Sequence, residues 1–191
     1  MGSDDVERIY ATDRAEFRAW LTGNHATAEA VWLVFYKKDS EKPSVSWSDA
    51  VDEALCFGWI DSKVKSLDDE RYEQYFTRRK PQSVWSMINK DKVEQLMADG
   101  RMATAGMRAV EVAKANGSWS LLDGPHALLV PDDLAATLAA DPAAARGYEA
   151  LSDSAKRGIL EWIALAKRPE TRARRIAKAA SETAAGRSPL G

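Results

Sequence analysis

The chain has 191 residues, of which 45% are apolar and 29% are charged, and its formal net charge is −2. This composition suits one globular domain, or a domain with a small appendage, and supplies enough apolar surface for a core. A single cysteine excludes an internal disulfide and a cysteine-based zinc site, and two histidines argue against a His-rich centre, so we predict no metal and no cofactor. The isoelectric point near 5.8 argues against a dedicated nucleic-acid-binding protein.

The sequence shows no targeting or membrane signal. No basic start is followed by an apolar run, and no apolar run approaches the roughly 20 residues needed to cross a bilayer. We therefore expect a cytoplasmic protein. The seven tryptophans are many for this length, and each large ring must be buried or serve recognition, so their positions mark the stretches of interest.

The first predicted elements are a helix and a strand. Asp13 with Glu16 three residues later predicts the cap of a helix, whose apolar face carries Phe17, Trp20 and Leu21 and which ends near residues 23–24. Residues 31–36 are β-branched and aromatic and place apolar side chains on both faces. This pattern predicts a central strand that is covered on two sides.

A second helix and a hairpin follow. Ser46 or Ser48 is expected to cap a helix that runs through Phe57. Residues 59–66 and 72–78 are predicted to form two antiparallel strands around a charged turn.

The rest of the chain is predicted to be mainly helical. Pro81 ends the second hairpin strand, and Ser83 is expected to cap a helix that stops at Gly100. From residue 101 onward we predict only helices and connectors, apart from a short edge strand at residues 128–130. In this region Asp132, Asp141 and Ser152 are predicted to cap helices, and Pro169 is predicted to start the last helix.

These elements predict an α+β fold in which a small antiparallel or mixed sheet packs with helices and a helical C-terminal region follows. The expected division is an α+β domain at residues 1–125, with a helix–hairpin–helix core, and a helical region at residues 126–191.

A candidate site lies where the hairpin meets the next helix. Trp59 and Asp61 alternate onto one face of the first hairpin strand, while Arg78 and Arg79 precede the helix predicted to begin after Ser83. The free N–H groups and dipole of that helix would add to the positive field, which predicts an anion site beside an indole that can stack on a planar group. The predicted ligand-binding residues are Trp59, Asp61, Arg78, Arg79, Ser83 and Trp85.

Two other interpretations of this stretch stay open. In the first, Asp61 and an arginine form a salt bridge across the hairpin while the tryptophans fill the core. In the second, the protein is an enzyme that uses Asp61 as an acid or base and Arg78 as an anion clamp, with no catalytic residue otherwise assigned.

Other reactive side chains favour structural roles. Neither histidine lies close to Cys56 in the sequence, so a buried structural thiol is favoured over a nucleophile. Asp49, Asp52 and Glu53 share a helix face, which we interpret as a solvated face that compensates the helix dipole.

The region near the C-terminus carries a basic run at residues 167–178. This pattern suits an acidic protein, an anionic lipid or nucleic acid as a partner. The favoured interpretation is a solvated helix that pairs partly with acidic residues of the N-terminal half. The predicted partner-binding residues are Arg168, Arg172, Arg175 and Lys178.

Several separated motifs resemble those of one family. They are WLVFYKK at residues 32–38, LCFGWID at 55–61, the arginine-bearing stretch at 76–81, the Trp-Ser-x-Ile-Asn stretch at 85–89 and the run at 164–178. In this order they resemble the bacterial YdeI/OmpD-associated family, and the last is similar to its bacteriocin-protection domain.

The resemblance implies a link to tolerance of antimicrobial peptides and to an outer-membrane porin. It brings no enzymatic activity, cofactor or catalytic residue with it. Two positions depart from the family pattern, because Ser62 stands where members often have glycine and Lys80 interrupts an arginine–proline run.

We therefore predict a cytoplasmic stress- and antimicrobial-tolerance protein. Its expected activity is the non-enzymatic binding of a small anionic or aromatic ligand, or of a peptide, in a cleft at the hairpin–helix junction. The alternatives are the enzyme described above and an interaction or nucleic-acid-binding module that works through the basic C-terminal helix. The oligomeric state is left open.

Overall fold

The computed structural model describes residues 5–190, and it divides into two compact units, one ending at Trp119 and the other beginning at Ser120. Residues 1–4, which belong to the stretch expected to carry no targeting signal, and Gly191 lie outside the described residues. A mixed sheet with helices, followed by a helical region, confirms the predicted α+β class. The domain boundary expected at residues 125/126 stays a prediction.

The first unit contains four strands and four helices among the residues described. In chain order they are β1 (Arg8–Tyr10), α1 (Arg14–Asn24), β2 (Ala30–Tyr36), α2 (Trp47–Cys56), β3 (Trp59–Ser66), β4 (Arg71–Arg78), α3 (Met87–Ala98) and α4 (Thr104–Asn116).

The sheet has the strand order β1-β2-β4-β3. Strand β1 runs parallel to β2, whereas β2 and β3 each pair with β4 in antiparallel register. The β3–β4 hairpin confirms the predicted pair of strands, and its register shifts between Asp61 and Val64. The predicted central strand at residues 31–36 is β2, which pairs with β1 along one edge and with β4 along the other. The expected cover on both faces is incomplete, because Val34 and Tyr36 on the second face keep part of their surface exposed.

One face of this sheet forms the core of the unit. Alternate residues of β2 (Val31, Leu33 and Phe35) are buried together with Phe76 of β4 and Phe17 of α1. Burying each large apolar side chain stabilises the fold by about 1.5–3 kcal/mol. This face is therefore the one that the helices cover.

Short sequence signals set several helix starts in both units. Asp13 and Ser46 accept hydrogen bonds from backbone N–H groups three residues ahead, as predicted. Asp141 and Ser152 cap helices in the second unit in the same way. Each cap satisfies a donor that the first helical turn leaves open.

The second unit is helical throughout its described residues. Its helices are α5 (Asp123–His126), α6 (Asp132–Ala139), α7 (Pro142–Glu149), α8 (Asp153–Ala164) and α9 (Pro169–Ala184). Its core includes Leu134, Tyr148, Ile159, Ile163 and Ile176.

Three local expectations are corrected, and one strand was not anticipated. Asp132 is the first residue of α6 rather than its cap, because Pro131 occupies the cap position. Ser83 follows the turn at residues 81–82, where its N–H donates to the Lys80 carbonyl oxygen. The cap of α3 is Ser86, whose hydroxyl accepts from the Asn89 N–H. Residues 128–130 form no strand, because the chain leaves α5 through Leu128 at a φ of 55°. Strand β1 was missed, because its three residues are held by parallel pairing with β2 rather than by a local pattern.

Among the described helices, none has the length and apolar character needed to span a membrane.

Candidate functional site

The site is built around Gly58, where the chain turns from α2 into β3. Gly58 has a φ of 74°, a backbone conformation that side-chain-bearing residues rarely adopt. Its carbonyl oxygen accepts a hydrogen bond of 2.9 Å from the Arg79 N–H, directly after the end of β4. The turn therefore holds the basic loop beside the helix end.

The basic loop after β4 is held at its far side by the end of α4. The Pro81 carbonyl oxygen accepts hydrogen bonds from Asn116 Nδ2 at 2.7 Å and from Ser118 Oγ at 3.3 Å. Because Pro81 has no N–H to continue the sheet, the chain leaves β4 here and turns towards α3.

Helix α4 supplies the opposite wall. The Ala103 N–H donates to the Cys56 carbonyl oxygen at 3.0 Å, which places the start of α4 against the end of α2. Ala105, Arg108, Ala109 and Val112 then line the space above Gly58.

The resulting cavity has a volume of about 480 Å³. No acidic side chain belongs to its described lining, which contains three arginines and a lysine beside two aromatic side chains. A positive, partly apolar cavity of this size lies within the roughly 300–1,000 Å³ typical of small-molecule sites. The lining residues are His25, Ala26, Phe57, Gly58, Arg78, Arg79, Lys80, Pro81, Trp85, Ala105, Arg108, Ala109 and Val112.

Arg79 is the central cation of this cavity. Its guanidinium lies over the Trp85 ring, 3.6 Å from the centroid, and Nη1 donates to the Val84 carbonyl oxygen at 3.2 Å. Its Nε is buried and has no acceptor among the described residues. Burial lowers the pKa of Arg79 to about 10, although the charge of Asp61 acts in the opposite direction, so Arg79 stays a cation at neutral pH.

Arg78 differs from its neighbour, although both line the cavity. The Arg78 guanidinium is more exposed, lies 3.8 Å from the Glu29 carboxylate and donates to the Ala26 carbonyl oxygen at 3.5 Å. Arg78 thus has an anionic partner at the surface, whereas Arg79 has none within hydrogen-bond distance in the described part of the chain.

The structure brings together only some of the predicted ligand-binding residues. Arg78, Arg79 and Trp85 line the cavity, whereas Trp59, Asp61 and Ser83 do not. Trp59 is 0% exposed and donates from its indole to the His25 carbonyl oxygen at 3.3 Å, which makes it a core residue. The expectation that Trp59 lines a cleft is corrected, because its face of β3 meets the helices.

Asp61 is engaged within the fold. Its Oδ2 accepts from Gln74 Nε2 at 2.8 Å and from Trp47 Nε1 at 3.2 Å. These bonds join β3 to β4 and to the first residue of α2. Asp61 therefore links elements of the sheet and helix layers, and its carboxylate does not line the cavity.

The predicted site lacked the contribution of α4 altogether. Ala105 and Ala109 are one helical turn apart, as are Arg108 and Val112, and each pair lies on one face of the helix. The spacing of the two alanines was the one sequence signal for this wall, because small side chains one turn apart let a helix approach another backbone closely. Phe57 and Gly58 belong to the motif at residues 55–61 and line the cavity, but they are not among the predicted ligand-binding residues.

Cys56 and Glu53 belong to a buried network beside α1. Glu53 is 1% exposed, and its carboxylate accepts from Arg18 at 2.6 Å and from Arg101 at 2.5 Å. Burial raises the pKa of the Cys56 thiol, with the Glu53 charge acting in the same direction. Glu53 is a buried ion-pair residue rather than part of a solvated face, which corrects the sequence interpretation.

The four basic residues predicted to bind a partner lie in or beside α9, and two of them make bonds within the unit. Arg172 forms a two-pronged ion pair with Asp133, at 2.6 and 2.9 Å. Arg175 donates to the Trp162 carbonyl oxygen. The Arg175 and Lys178 side chains both lie over the Trp162 ring. Arg168 stands exposed at the start of the helix. Partner binding through this helix stays a prediction.

Metal binding finds no geometric support in the described residues. No group of three or more His, Cys, Asp or Glu side chains among them is arranged to hold an ion.

The fold and site define an α+β protein of two units, with a basic, apolar-walled cavity in the first. The chain belongs to a family described as Domain of unknown function (DUF8412), whose model matches residues 9–109. Residues 127–186 match the family model described as Bacteriocin-protection, YdeI or OmpD-Associated, which confirms the predicted resemblance. The motifs at residues 32–38, 55–61, 76–81 and 85–89, which were compared with the YdeI/OmpD-associated family above, fall within the first of these two matches. No curated protein and no solved structure shows a significant match to the chain.

Proposed function

We propose that this protein is a non-enzymatic binding protein whose first unit holds a small organic anion in the cavity at Gly58, Arg79 and Trp85. The observation that carries the proposal is the Arg79 guanidinium, which is packed on an indole inside a cavity and lacks an acceptor for its buried Nε. A desolvated cation that has an unpaired N–H donor is unfavourable even with the charge of Asp61 nearby, and an anionic ligand that accepts from it would relieve that cost.

Charge and shape support the same function. Each hydrogen bond between Arg79 and an ionised ligand group would stabilise the complex by about 1.5–3 kcal/mol. Arg108 and Lys80 add positive charge, while Phe57, Ala109 and Val112 offer apolar contact for the body of the ligand. The alternative enzyme based on Asp61 loses support, because that carboxylate is bonded to Trp47 and Gln74 outside the cavity.

A binding screen with matched variants tests the proposal. Trp85 lies in the cavity, so binding of an organic anion should change the intrinsic tryptophan fluorescence, and titration calorimetry then gives the affinity. We expect Arg79→Gln to weaken binding at least about tenfold, a loss of about 1.4 kcal/mol. Arg71→Gln is the control, because Arg71 is exposed and pairs with Asp68 at the other end of β4.

Two outcomes would overturn this proposal. One is a broad panel of organic anions in which none changes the fluorescence or the melting temperature. The other is an anion that binds Arg79→Gln, shown to be folded by circular dichroism, as tightly as it binds the wild-type protein.

For the whole protein we propose a role related to bacteriocin protection, exercised in the cytoplasm. The match of residues 127–186 to the bacteriocin-protection family supports this role. Bacteria that produce the wild-type chain should survive a bacteriocin panel better than bacteria carrying an empty vector, and cell fractionation should recover the protein with the cytosol. Equal survival against every bacteriocin in the panel contradicts the role, and recovery with the membranes or the periplasm contradicts the location.

A further inference from the structure

The hydrogen-bonding pattern of Arg79 leaves two N–H groups of its guanidinium without an acceptor, and one of them, Nε, is buried. Nη1 is engaged by the Val84 carbonyl oxygen, and the backbone N–H is engaged by Gly58. Nε and Nη2 have no acceptor among the described residues. These two groups form the side-on edge of a guanidinium, whose two parallel N–H bonds match the two oxygens of a carboxylate.

The orientation of this edge is held by the indole beneath it. The guanidinium lies 3.6 Å from the Trp85 ring centroid, and Trp85 is 2% exposed. Trp85 is packed in turn against Trp119, with ring centroids 5.0 Å apart. A cation stacked on a buried ring has little rotamer freedom left to lose, which favours a planar, two-pronged partner.

The charge balance of the cavity favours a ligand whose anionic group, the one that binds Arg79, carries a single negative charge. Arg79 is the strongly desolvated cation of the lining, whereas Arg78 already lies beside Glu29, and Lys80 and Arg108 are exposed to solvent. A second negative charge would enter an environment with apolar walls without a second buried cation to balance it. The loop N–H groups of Arg79 and Ser83 are already bonded to carbonyl oxygens, so they are not free to hold a phosphate.

The remaining walls specify the body of the ligand. Phe57, Ala105, Ala109 and Val112 are apolar, and Gly58 contributes backbone without a side chain. A side chain at Gly58 would meet the Ala105 carbonyl oxygen and the Ala109 methyl group at 3.1 Å, so the backbone surfaces here approach closely. This lining suits an aromatic ring or a branched apolar group rather than a sugar.

We infer that the cavity takes a monocarboxylate on an aromatic or branched apolar body, with the carboxylate bound side-on to Nε and Nη2 of Arg79. This inference rests on the proposed binding function and names its ligand class. Arg79 is the residue that selects the carboxylate, and Val112 at the rim limits the size of the body.

Matched ligand series test the class. Benzoate, phenylacetate and indole-3-acetate are each compared with the neutral amide and with the phosphate or phosphonate of the same ring, and acetate serves as the carboxylate without a body. We expect at least one ring-bearing carboxylate to bind, and to bind at least about tenfold more tightly than its amide, its phosphorus counterpart and acetate.

Two variants separate charge from geometry and body size. Arg79→Lys keeps the positive charge but removes the two-pronged edge, so carboxylate affinity should fall at least about tenfold. Val112→Phe should weaken indole-3-acetate more than benzoate, because it narrows the apolar part of the cavity. Val64→Phe is its control, since Val64 is 63% exposed on β3 and does not line the cavity.

The outcomes distinguish this inference from the proposed function. If the phosphorus compounds bind more tightly than the carboxylates and lose affinity in Arg79→Gln, the carboxylate class is wrong and the anion-binding function stands. Undiminished carboxylate binding by Arg79→Lys also overturns the side-on geometry. If no anion in any series binds, both the inference and the proposed function fail.

Discussion

Gly106 of α4 lies directly against Cys56 at the end of α2. A methyl group on Gly106 would lie 2.7 Å from the Cys56 carbonyl carbon and 2.8 Å from the Leu55 carbonyl oxygen, both of which are backbone atoms that cannot rotate away. This approach holds the wall of the cavity in place, because Ala105 and Ala109 flank Gly106 on the same helix. The cavity therefore depends on a residue that does not line it.

Gly106→Ala should destabilise the first unit. Forcing a methyl group into this contact displaces α4 from α2, and overpacking of this kind costs about 1–3 kcal/mol. Thermal unfolding followed by circular dichroism should show a melting temperature lowered by several degrees.

Gly23→Ala is the matched control for that experiment. Gly23 lies in α1 with open space around its α-carbon, and it has no positive φ. Replacing a helical glycine by alanine there should leave the stability unchanged or raise it by up to about 1 kcal/mol. Equal melting temperatures for Gly106→Ala and the wild-type protein would contradict the close packing of α4 on α2.

Glu53→Gln should destabilise the protein more than any exposed carboxylate substitution. The change removes the buried charge that accepts from Arg18 and Arg101. Because both guanidinium groups keep part of their surface in solvent, we expect a cost of about 1.5–3 kcal/mol, the range for hydrogen bonds to charged groups. Urea unfolding should show this as a lower midpoint with an unchanged slope. Glu70→Gln is the control, because Glu70 and its partner Lys42 are both exposed and their pair is worth at most about 1 kcal/mol.

The Asp133–Arg172 pair should make the second unit sensitive to acid. The Arg172 guanidinium lowers the pKa of Asp133 by hydrogen bonding and charge. A carboxyl group with a lowered pKa in the folded state stabilises the fold above its ordinary pKa, and this stabilisation is lost as the pH falls through the lowered value, below about pH 4.

Carboxyl titration by NMR measures this pair directly. In Arg172→Leu the Asp133 midpoint should move up towards the ordinary aspartate value, whereas Arg174→Leu, which changes an exposed arginine of the same helix, should leave it unchanged. An Asp133 midpoint that is the same in both variants would contradict the ion pair.

The Cys56 thiol should react slowly in the native protein. Its side chain is buried, and burial together with the nearby Glu53 charge raises its pKa, so little thiolate is present or accessible at neutral pH. Labelling with a thiol reagent should be slow in buffer and fast in guanidinium chloride. Rapid stoichiometric labelling of the folded chain would show instead that α2 opens readily at this end.

Local patterns in the sequence predicted much of the secondary structure. The caps Asp13, Ser46, Asp141 and Ser152 were recognised because a cap needs only one polar side chain before an apolar periodic run. The same rule failed at Ser83, because Ser83 and Ser86 both precede the α3 run and only the backbone path after Pro81 selects Ser86.

The sequence predicted only those features of the candidate site that depend on local patterns. The alternation of Trp59 and Asp61 onto one face of β3 follows from the strand period, since both positions pair with β4 without a slip. Whether that face meets a cleft or a core depends on the layer packed against it, and helices cover it. The α4 wall was missed, because Ala105 and Ala109 reach Gly58 across more than forty residues of chain.

The sequence by itself determined the α+β class, the hairpin, most helix starts and the family resemblance, because each depends on patterns within a few turns or strands. It also placed two adjacent arginines, Arg78 and Arg79, at the end of β4. Only the tertiary structure decided that Arg79 is the desolvated, unpaired cation while Arg78 lies beside Glu29. The physical reason is that desolvation and partner choice arise from distant chain segments, here Gly58, Trp85 and α4, which fold around one guanidinium and leave its neighbour near solvent.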